Sequence, residues 1–417
     1  MSGAAWYAAW VPESAAGSAA RVAAMSSGSD AGERPRVFLH VGSPKTGTTF
    51  LQNVLWAQRD LAREQGLLLP MERFNDHYLG TLDLRGLSGR PVYPERAVGM
   101  WDRLVEQSLG WSGSVLISHE LFAAATTEQA KAGVASLVEG GAEVHVVVTV
   151  RDLVRQLTAE WQEHVKHRST KTFPEFVAGL RDDTERGSWF WRVQDFSGVV
   201  ARWGADLPPE QVHVVTVPPA GSPPGLLWER FADLLGLEPA SFDTATSRAN
   251  SSLGVEQAEL LRRVNLQLGE RLPLPGPYPT VVKNVLAHRV LEPRPGTRLT
   301  LNAEDTAFAV EESRAIVDRL AAAGVDVVGD LAELVPDPEL APDQDGYPAP
   351  TAEALLQESI AAMTELLVVL NERRAHQRRA EDLVAAAREK PVRFALVRAS
   401  ERRPFLMRLR RLGKRIS

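Results

Sequence analysis

The segment Gly42-Ser43-Pro44-Lys45-Thr46-Gly47-Thr48-Thr49 gathers the residue types that hold a tetrahedral anion. Glycines let the backbone come close to a ligand. A helix opening at its end offers unpaired N–H groups and the positive end of its dipole. Lys45 adds a full charge, and Thr46, Thr48 and Thr49 add hydroxyl donors. The chemistry expected of this set is binding of phosphate or sulfate. The plain alternative is a Gly/Thr-rich strand-to-helix turn with an incidental lysine.

Other residues offer complementary chemistry. Arg151 ends the apolar run Val144–Val150, and a guanidinium there can form two parallel bonds to a phosphate. The competing reading is an arginine paired with a surface carboxylate. Ser118-His119-Glu120 follows the apolar run Val115–Ile117. An imidazole with an unperturbed pKa of about 6.5 suits base work near neutrality, so His119 is a candidate base and Glu120 a second one. A histidine at a strand end also serves for capping or packing. Glu160, Glu163, His164 and His167 share one helical face at spacings of three and four. With Lys166, Arg168 and Lys171 around them, a solvated polar face is expected. A share in an acceptor or phosphate pocket is the second reading, and metal ligation the third. Trp189, Phe190, Trp191 and Trp203 are read as core, with one or two facing an acceptor.

These residues need elements to position them. Val37–Val41, Val115–Ile117, Val144–Val150 and Val212–Val217 read as buried strands. Helical patterns lie between them: Phe50–Arg63, Thr126–Val138 with a Thr127 cap, Asp152–Arg168 and Leu226–Leu235. Ser252–Gly269 and Ala303–Ala322 read as further helices, the latter ended by Gly324, and Val325–Val328 as a last short segment. Alternation of this kind predicts an α/β fold, a doubly wound parallel sheet with helices on both faces.

The whole chain has 417 residues, 44% of them hydrophobic and 24% charged, enough to bury a sizeable core. It contains no cysteine, which excludes disulfides, thiolate metal sites and a cysteine nucleophile. A net charge of −6 argues against a dedicated nucleic-acid binder. Residues 1–34 are rich in Ala, Ser and Gly and read as poorly ordered. They lack a basic n-region and match a signal peptide poorly; Met25 is an alternative start. Residues 35–335 form the α/β domain. Residues 336–350 carry five prolines among acidic residues and read as a linker. Residues 351–390 form an amphipathic helix in which Leu356, Ile360, Met363, Leu367 and Leu370 alternate at four and three. Packing back on the core is expected of it, and pairing two chains into a homodimer is the alternative. Residues 391–417 are a basic tail with interleaved apolar residues. Its readings are a solubilising end, peripheral contact with an anionic membrane, or recruitment of an acidic partner.

Pro44-Lys45-Thr46-Gly47-Thr48-Thr49-Phe50 resembles the 5′-phosphosulfate loop of sulfotransferases that use 3′-phosphoadenosine 5′-phosphosulfate (PAPS). The family form is Pro-Lys-Ser/Thr-Gly-Thr-Thr followed by an aromatic. The resemblance implies that Lys45 contacts the 5′-phosphate and the bridging oxygen. It implies that Gly47, Thr48 and Thr49 hold phosphate oxygens, with Ser43, Pro44 and Thr46 completing the donor loop, and that Phe50 lies near the adenine. In the family a strand ends in Arg, and a Ser eight residues later shares the 3′-phosphate. Arg151 matches the first; Ala159 stands at the second, with Thr158 beside it as the candidate hydroxyl. Cytosolic members carry a catalytic His between the loop and the Arg strand, where His119 stands, while other branches use a Glu, which keeps Glu120 in play. The family's Gly-x-x-Gly-x-x-Lys element is not evident, and Arg248–Ser252 is a candidate replacement or a simple helix cap. The resemblance covers roughly residues 36–335 and is specific at the first loop.

The function implied is in-line transfer of a sulfuryl group from PAPS to a hydroxyl or amine of a carbohydrate, lipid or small metabolite, without a metal. The fold implied is the P-loop-like sulfotransferase core with a C-terminal helical extension. The expected location is cytoplasmic, with membrane contact limited to the tail. A kinase or NTPase of related fold is the first alternative. Its loop needs Lys directly after the second glycine, where Thr48 stands; here the lysine precedes Gly47 by two residues. A catalytically silent anion- or glycan-binding protein is the second.

Overall fold

The computed structural model describes residues 34–182, 188–245, 252–274, 276–336, 346 and 349–389. Residues 1–33, positions 248–251 of the Arg248–Ser252 candidate, most of the proline-rich linker and the basic tail lie outside the described residues. The chain divides into two compact units between Thr351 and Ala352.

In the first unit, β1 spans Arg36–Gly42, and every residue after Arg36 is buried. Such a strand must be covered on both faces. α1 (Thr48–Ala57) and α2 (Arg59–Glu64) follow. The sequence pattern expects one helix over Phe50–Arg63; the chain breaks it at Gln58, whose φ of −126° leaves the helical region. β2 is only Leu67–Leu68, too short for a periodic pattern. α3 (Asp76–Leu84) and α4 (Met100–Leu109) lead to β3 (Ser114–Ser118). A 3₁₀ turn, Glu120–Ala124, comes next. α5 (Thr127–Val138) is capped by Thr126 rather than Thr127. The Thr126 hydroxyl accepts from the Gln129 N–H while the Gln129 side chain accepts from the Thr126 N–H. β4 (Glu143–Val150) runs into α6 (Leu153–Lys166), capped by Asp152. α7 (Phe173–Arg181), α8 (Trp189–Gln194) and α9 (Phe196–Trp203) precede β5 (Val212–Thr216). α10 (Leu226–Leu234), α11 (Val255–Leu268), a π-helical segment Pro279–Leu291 and α12 (Ala303–Ala323) complete the helices. Gly324 closes α12 at φ 64°, and β6 (Asp326–Val328) is the last strand.

The strands form one six-stranded sheet in the order β2-β3-β1-β4-β5-β6, all pairs parallel. This is the doubly wound α/β architecture. On one face α1 and α10 pack Leu51, Val54, Leu55, Trp228 and Phe231 against Phe38, Leu116 and Val147. Each such side chain contributes about 1.5–3 kcal/mol over leaving it in water. On the other face Phe122 meets Trp101 and Trp203 edge-on at 5.7 and 5.8 Å.

Strand order dictates where chemistry collects. The chain leaves β1 to one side and returns on the other, so β1 is the switch point, and ligand sites form beyond the strand ends there. The ends of β3, β1 and β4 lie side by side, which brings His119 and Glu120, the Gly42–Thr49 loop, and Arg151 to one edge.

In the second unit, α13 spans Ala352–Glu389. Leu356, Ile360, Met363, Leu367 and Leu370 are 47–68% exposed. Among the described residues no helix is long and apolar enough to cross a membrane.

Candidate active site

The loop leaves β1 through a shift in register between His40 and Gly42. Gly42 has φ 119°, and a Cβ there would stand 2.8 Å from the Glu120 carbonyl oxygen. Only glycine lets the loop pass that close to the candidate base. The Ser43 N–H donates to the Thr149 carbonyl at 3.1 Å, tying the loop to β4. Lys45 itself takes the left-handed conformation at φ 64°, a strained geometry for a side chain of this type.

A buried polar network holds the loop from below. The Thr149 hydroxyl donates to the Gly42 carbonyl at 3.1 Å and pairs with the Thr46 hydroxyl at 2.5 Å. Thr46 also lies 2.5 Å from the Ser43 carbonyl. His40 pairs with Thr149 at 3.2 Å and with Ser118 at 2.8 Å, and Gln52 donates to Ser118 at 3.2 Å. From the side, Gln156 and Gln194 both donate to the Pro44 carbonyl, at 3.0 and 3.2 Å. The Thr46 hydroxyl, expected as an anion donor, is therefore turned inward to hold the loop. Ser43 is likewise fully buried, its hydroxyl without a hydrogen-bond partner.

The anion-facing part lies just beyond. Gly47 precedes α1 in the left-handed region, and no side chain caps the helix; its first turn holds no acidic residue. The first-turn N–H groups thus remain available to an anion. Thr48 is buried, Thr49 is exposed, and Phe50 is half-buried against the core beneath α1.

Lys45 points away from the sheet to α6. Its Nζ donates to Glu163 Oε2 at 2.7 Å. Lys283, from the π-helical segment, donates to Glu163 Oε1 at 2.7 Å, and His167 lies 3.1 Å from the same oxygen. Burial disfavours the Lys45 ammonium, but Glu163 and Glu160 outweigh it and hold its pKa above the ordinary value. Burial likewise opposes the Glu163 charge, and Lys45, His167 and Lys283 overcome it, leaving that carboxyl well below its usual range. Glu160 is pushed up to about 7 by burial, against the pull of Lys45. The polar face of α6, expected in solvent, is therefore turned inward onto the loop lysine, with Glu160 only 2% exposed. A polar stripe looks the same in sequence whether water or a buried site faces it.

Arg151 and Thr158 meet on one acceptor. Arg151 Nη2 donates to the Arg155 carbonyl at 2.6 Å, and the Thr158 hydroxyl donates to the same oxygen at 3.0 Å. Arg151 Nε is buried without a hydrogen-bond partner. Burial, with Arg155 adding repulsion, lowers the guanidinium pKa to about 10. Among the described residues no carboxylate pairs with Arg151, so the surface ion pair considered for it is not what forms.

On the other side of the loop stand His119 and Glu120. The Leu121 N–H donates to His119 Nδ1 at 3.2 Å, so the neutral ring carries its proton on Nε2. Burial, with Arg85 nearby, lowers the His119 pKa. Glu120 Oε2 is buried without a hydrogen-bond partner. Burial acts to raise its pKa, but His119, a backbone hydrogen bond and Lys45 hold it below the usual carboxylate range.

Two cationic groups thus stand at neighbouring strand ends: Lys45, paired with Glu163, beside the uncapped start of α1, and Arg151, whose Nε has no hydrogen-bond partner. Sequence reasoning missed the Glu163–Lys283 pair, although the spacing of Glu163 and His167 on one helix was a signal. Lys283 gave none.

No known protein-family model matches the chain, and no curated protein matches it. Among solved structures, the crystal structure of a sulfotransferase from Alicyclobacillus acidocaldarius is similar at 18% identity, covering 57% of this chain and 95% of that one with a TM-score of 0.35. A likeness at that level carries no argument for this chain.

Proposed function

We propose that this protein is a sulfotransferase that takes a sulfuryl group from PAPS and passes it to an acceptor hydroxyl or amine. The observation that carries this reading is the Lys45 loop beside the Arg151–Thr158 pair at neighbouring strand ends. It is a cationic arrangement suited to a donor phosphorylated at both its 5′ and 3′ positions. When bound, the donor supplies an activated sulfuryl group and leaves as the bisphosphate.

The chain's own residues divide the work. Lys45, the Gly47–Thr49 N–H groups and the Thr48 and Thr49 hydroxyls hold the 5′ end and neutralise charge as it develops there. Phe50 flanks the nucleotide. Arg151 and Thr158 hold the 3′-phosphate. Glu163 occupies Lys45 in the structure described here, and an incoming anion takes its place. Glu120, ionised and with one oxygen unsatisfied, is the base that removes the acceptor proton. His119 presents a proton on Nε2, so it serves as a donor to an oxygen rather than as the base.

The test is calorimetric titration with 3′-phosphoadenosine 5′-phosphate beside ATP with Mg²⁺. Metal-independent binding of the former, with little response to ATP, is expected. Preference for Mg–ATP would move the protein to the kinase or NTPase class. Binding of the bisphosphate without turnover across many acceptors would favour a silent binding protein.

A further inference from the structure

Helix α13 carries two apolar lines. Leu355, Ala362 and Val369 recur every seven residues and are buried, so the chain itself covers that line. About a third of a turn away runs a second line, Leu356, Ile360, Met363, Leu367 and Leu370, at alternating spacings of four and three. These five side chains are 47–68% exposed. Apolar residues scattered singly over a surface are ordinary, but a continuous stripe about four turns long marks a place of contact. Its spacing keeps one face turned toward a second helix.

The two ends of the stripe carry opposite charge. Glu353 lies one turn before Leu356 on the same face, and Arg374 lies one turn after Leu370; both are exposed. No charged residue stands on the stripe between them. A surface that meets a copy of itself about a two-fold axis must be self-complementary. This surface is so in one direction only. With two helices antiparallel and the axis passing beside Met363, Glu353 faces the partner's Arg374 at one end, and Arg374 faces the partner's Glu353 at the other. The apolar residues of both helices fill the length between. In a parallel pair Glu353 would meet the partner's Glu353, and Arg374 the partner's Arg374. Arg373 and Arg378, at the flanking positions of the heptad, would add further like-charge contacts there. The wider charge pattern agrees. Positions 352–371 hold three glutamates and no lysine or arginine, whereas positions 372–379 hold four arginines against Glu372.

We propose that α13 joins two copies of this chain as an antiparallel helix pair through the Leu356–Leu370 stripe, with Glu353 and Arg374 setting its direction. The apolar stripe supplies the strength of the contact. The exposed charges at its ends add little to that strength, and they select the orientation. Pairing through α13 is independent of what the first unit catalyses.

The test is sedimentation equilibrium of the full chain over a range of micromolar concentrations at low salt. A reversible dimer is expected. Met363→Glu should leave a monomer, and because Met363 is 56% exposed the change disturbs little packing within a single chain. Glu353→Arg and Arg374→Glu should each weaken association by about fivefold or more, since each sets like charges face to face at both ends. The two reversals combined should restore it to within about twofold. A parallel pair would respond to none of these reversals, because like meets like before and after. A chain that stays monomeric at every concentration would overturn the proposal and leave the stripe to the chain's own C-terminal residues or to a different protein. A dimer that persists in Met363→Glu would overturn it by placing the contact elsewhere. A dimer that the single reversals leave unchanged, or that the double variant does not restore, would overturn the antiparallel arrangement.

Discussion

Lys45 and Glu163 are joined by a 2.7 Å ion pair that bridges the anion loop and α6, 118 positions apart. The loop lysine is held ready by a carboxylate of the protein itself. A second lysine, Lys283, grips the other oxygen of that carboxylate. On the proposed reading, an anionic ligand enters by competition with Glu163, not by creating a charge pair where none existed.

Removing the competitor should tighten binding. Glu163→Gln is expected to raise affinity for 3′-phosphoadenosine 5′-phosphate by about three- to tenfold, since a neutral amide holds the two lysines less strongly. Calorimetry at low salt checks it. Weaker binding would mean that Glu163 orients Lys45 rather than competing for it.

Removing the lysine should do the reverse. Lys45→Ala is expected to lower nucleotide affinity by about tenfold or more and turnover by about a hundredfold or more. Turnover close to that of the parent protein would remove Lys45 from the mechanism.

The assignment of the base separates by variant. Glu120→Gln should reduce turnover by about 10²–10⁴-fold with nucleotide affinity nearly intact. His119→Gln should cost much less. If His119→Gln is the more damaging of the two, the proton-acceptor role belongs to the imidazole.

Arg151 and Thr158 should be felt only through the 3′ end. Arg151→Ala is expected to weaken 3′-phosphoadenosine 5′-phosphate by about tenfold or more while leaving adenosine 5′-phosphate almost unchanged. Thr158→Val should do the same more mildly. Equal losses for both nucleotides would place Arg151 elsewhere on the ligand.

Acid should destabilise the fold through two histidines under the site. Burial lowers His40 and His77 to about 4. The folded state therefore binds fewer protons than the unfolded chain, whose histidines titrate near 6.5. The stability linked to these rings is complete above that value and falls as pH drops from about 6.5 toward 4. Each ring accounts for about 3 kcal/mol at the low end. Denaturant unfolding at pH 7 and pH 5 checks the sign, and equal midpoints would show that neither ring is held neutral.

The parts of the site that were legible in sequence are those whose chemistry is contiguous. The Gly42–Thr49 loop carries its strand, glycines, lysine and helix start in one stretch, so local rules sufficed. Arg151 was visible because a long β run stops on it. Glu120 was visible as a candidate beside His119, but the Leu121 N–H on His119 Nδ1, which supports proposing Glu120 over the imidazole, is a contact that no pattern encodes. Lys283 meets Glu163 across 120 positions and Tyr78 meets His119 across 41, and one sequence offers no signal for such encounters. The fold class was legible because parallel strands buried on both faces are nearly continuous apolar runs. β2 escaped because two residues make no pattern.

The brevity of β2 has a counterpart at the other border of the sheet, where β6 contributes only three residues. Long flanking strands display rows of unpaired amides on which foreign chains can template. These two offer almost no such ladder. The sheet is thereby shielded from strand-to-strand recruitment. Within this unit, a partner can recognise side-chain surfaces but finds little backbone to extend.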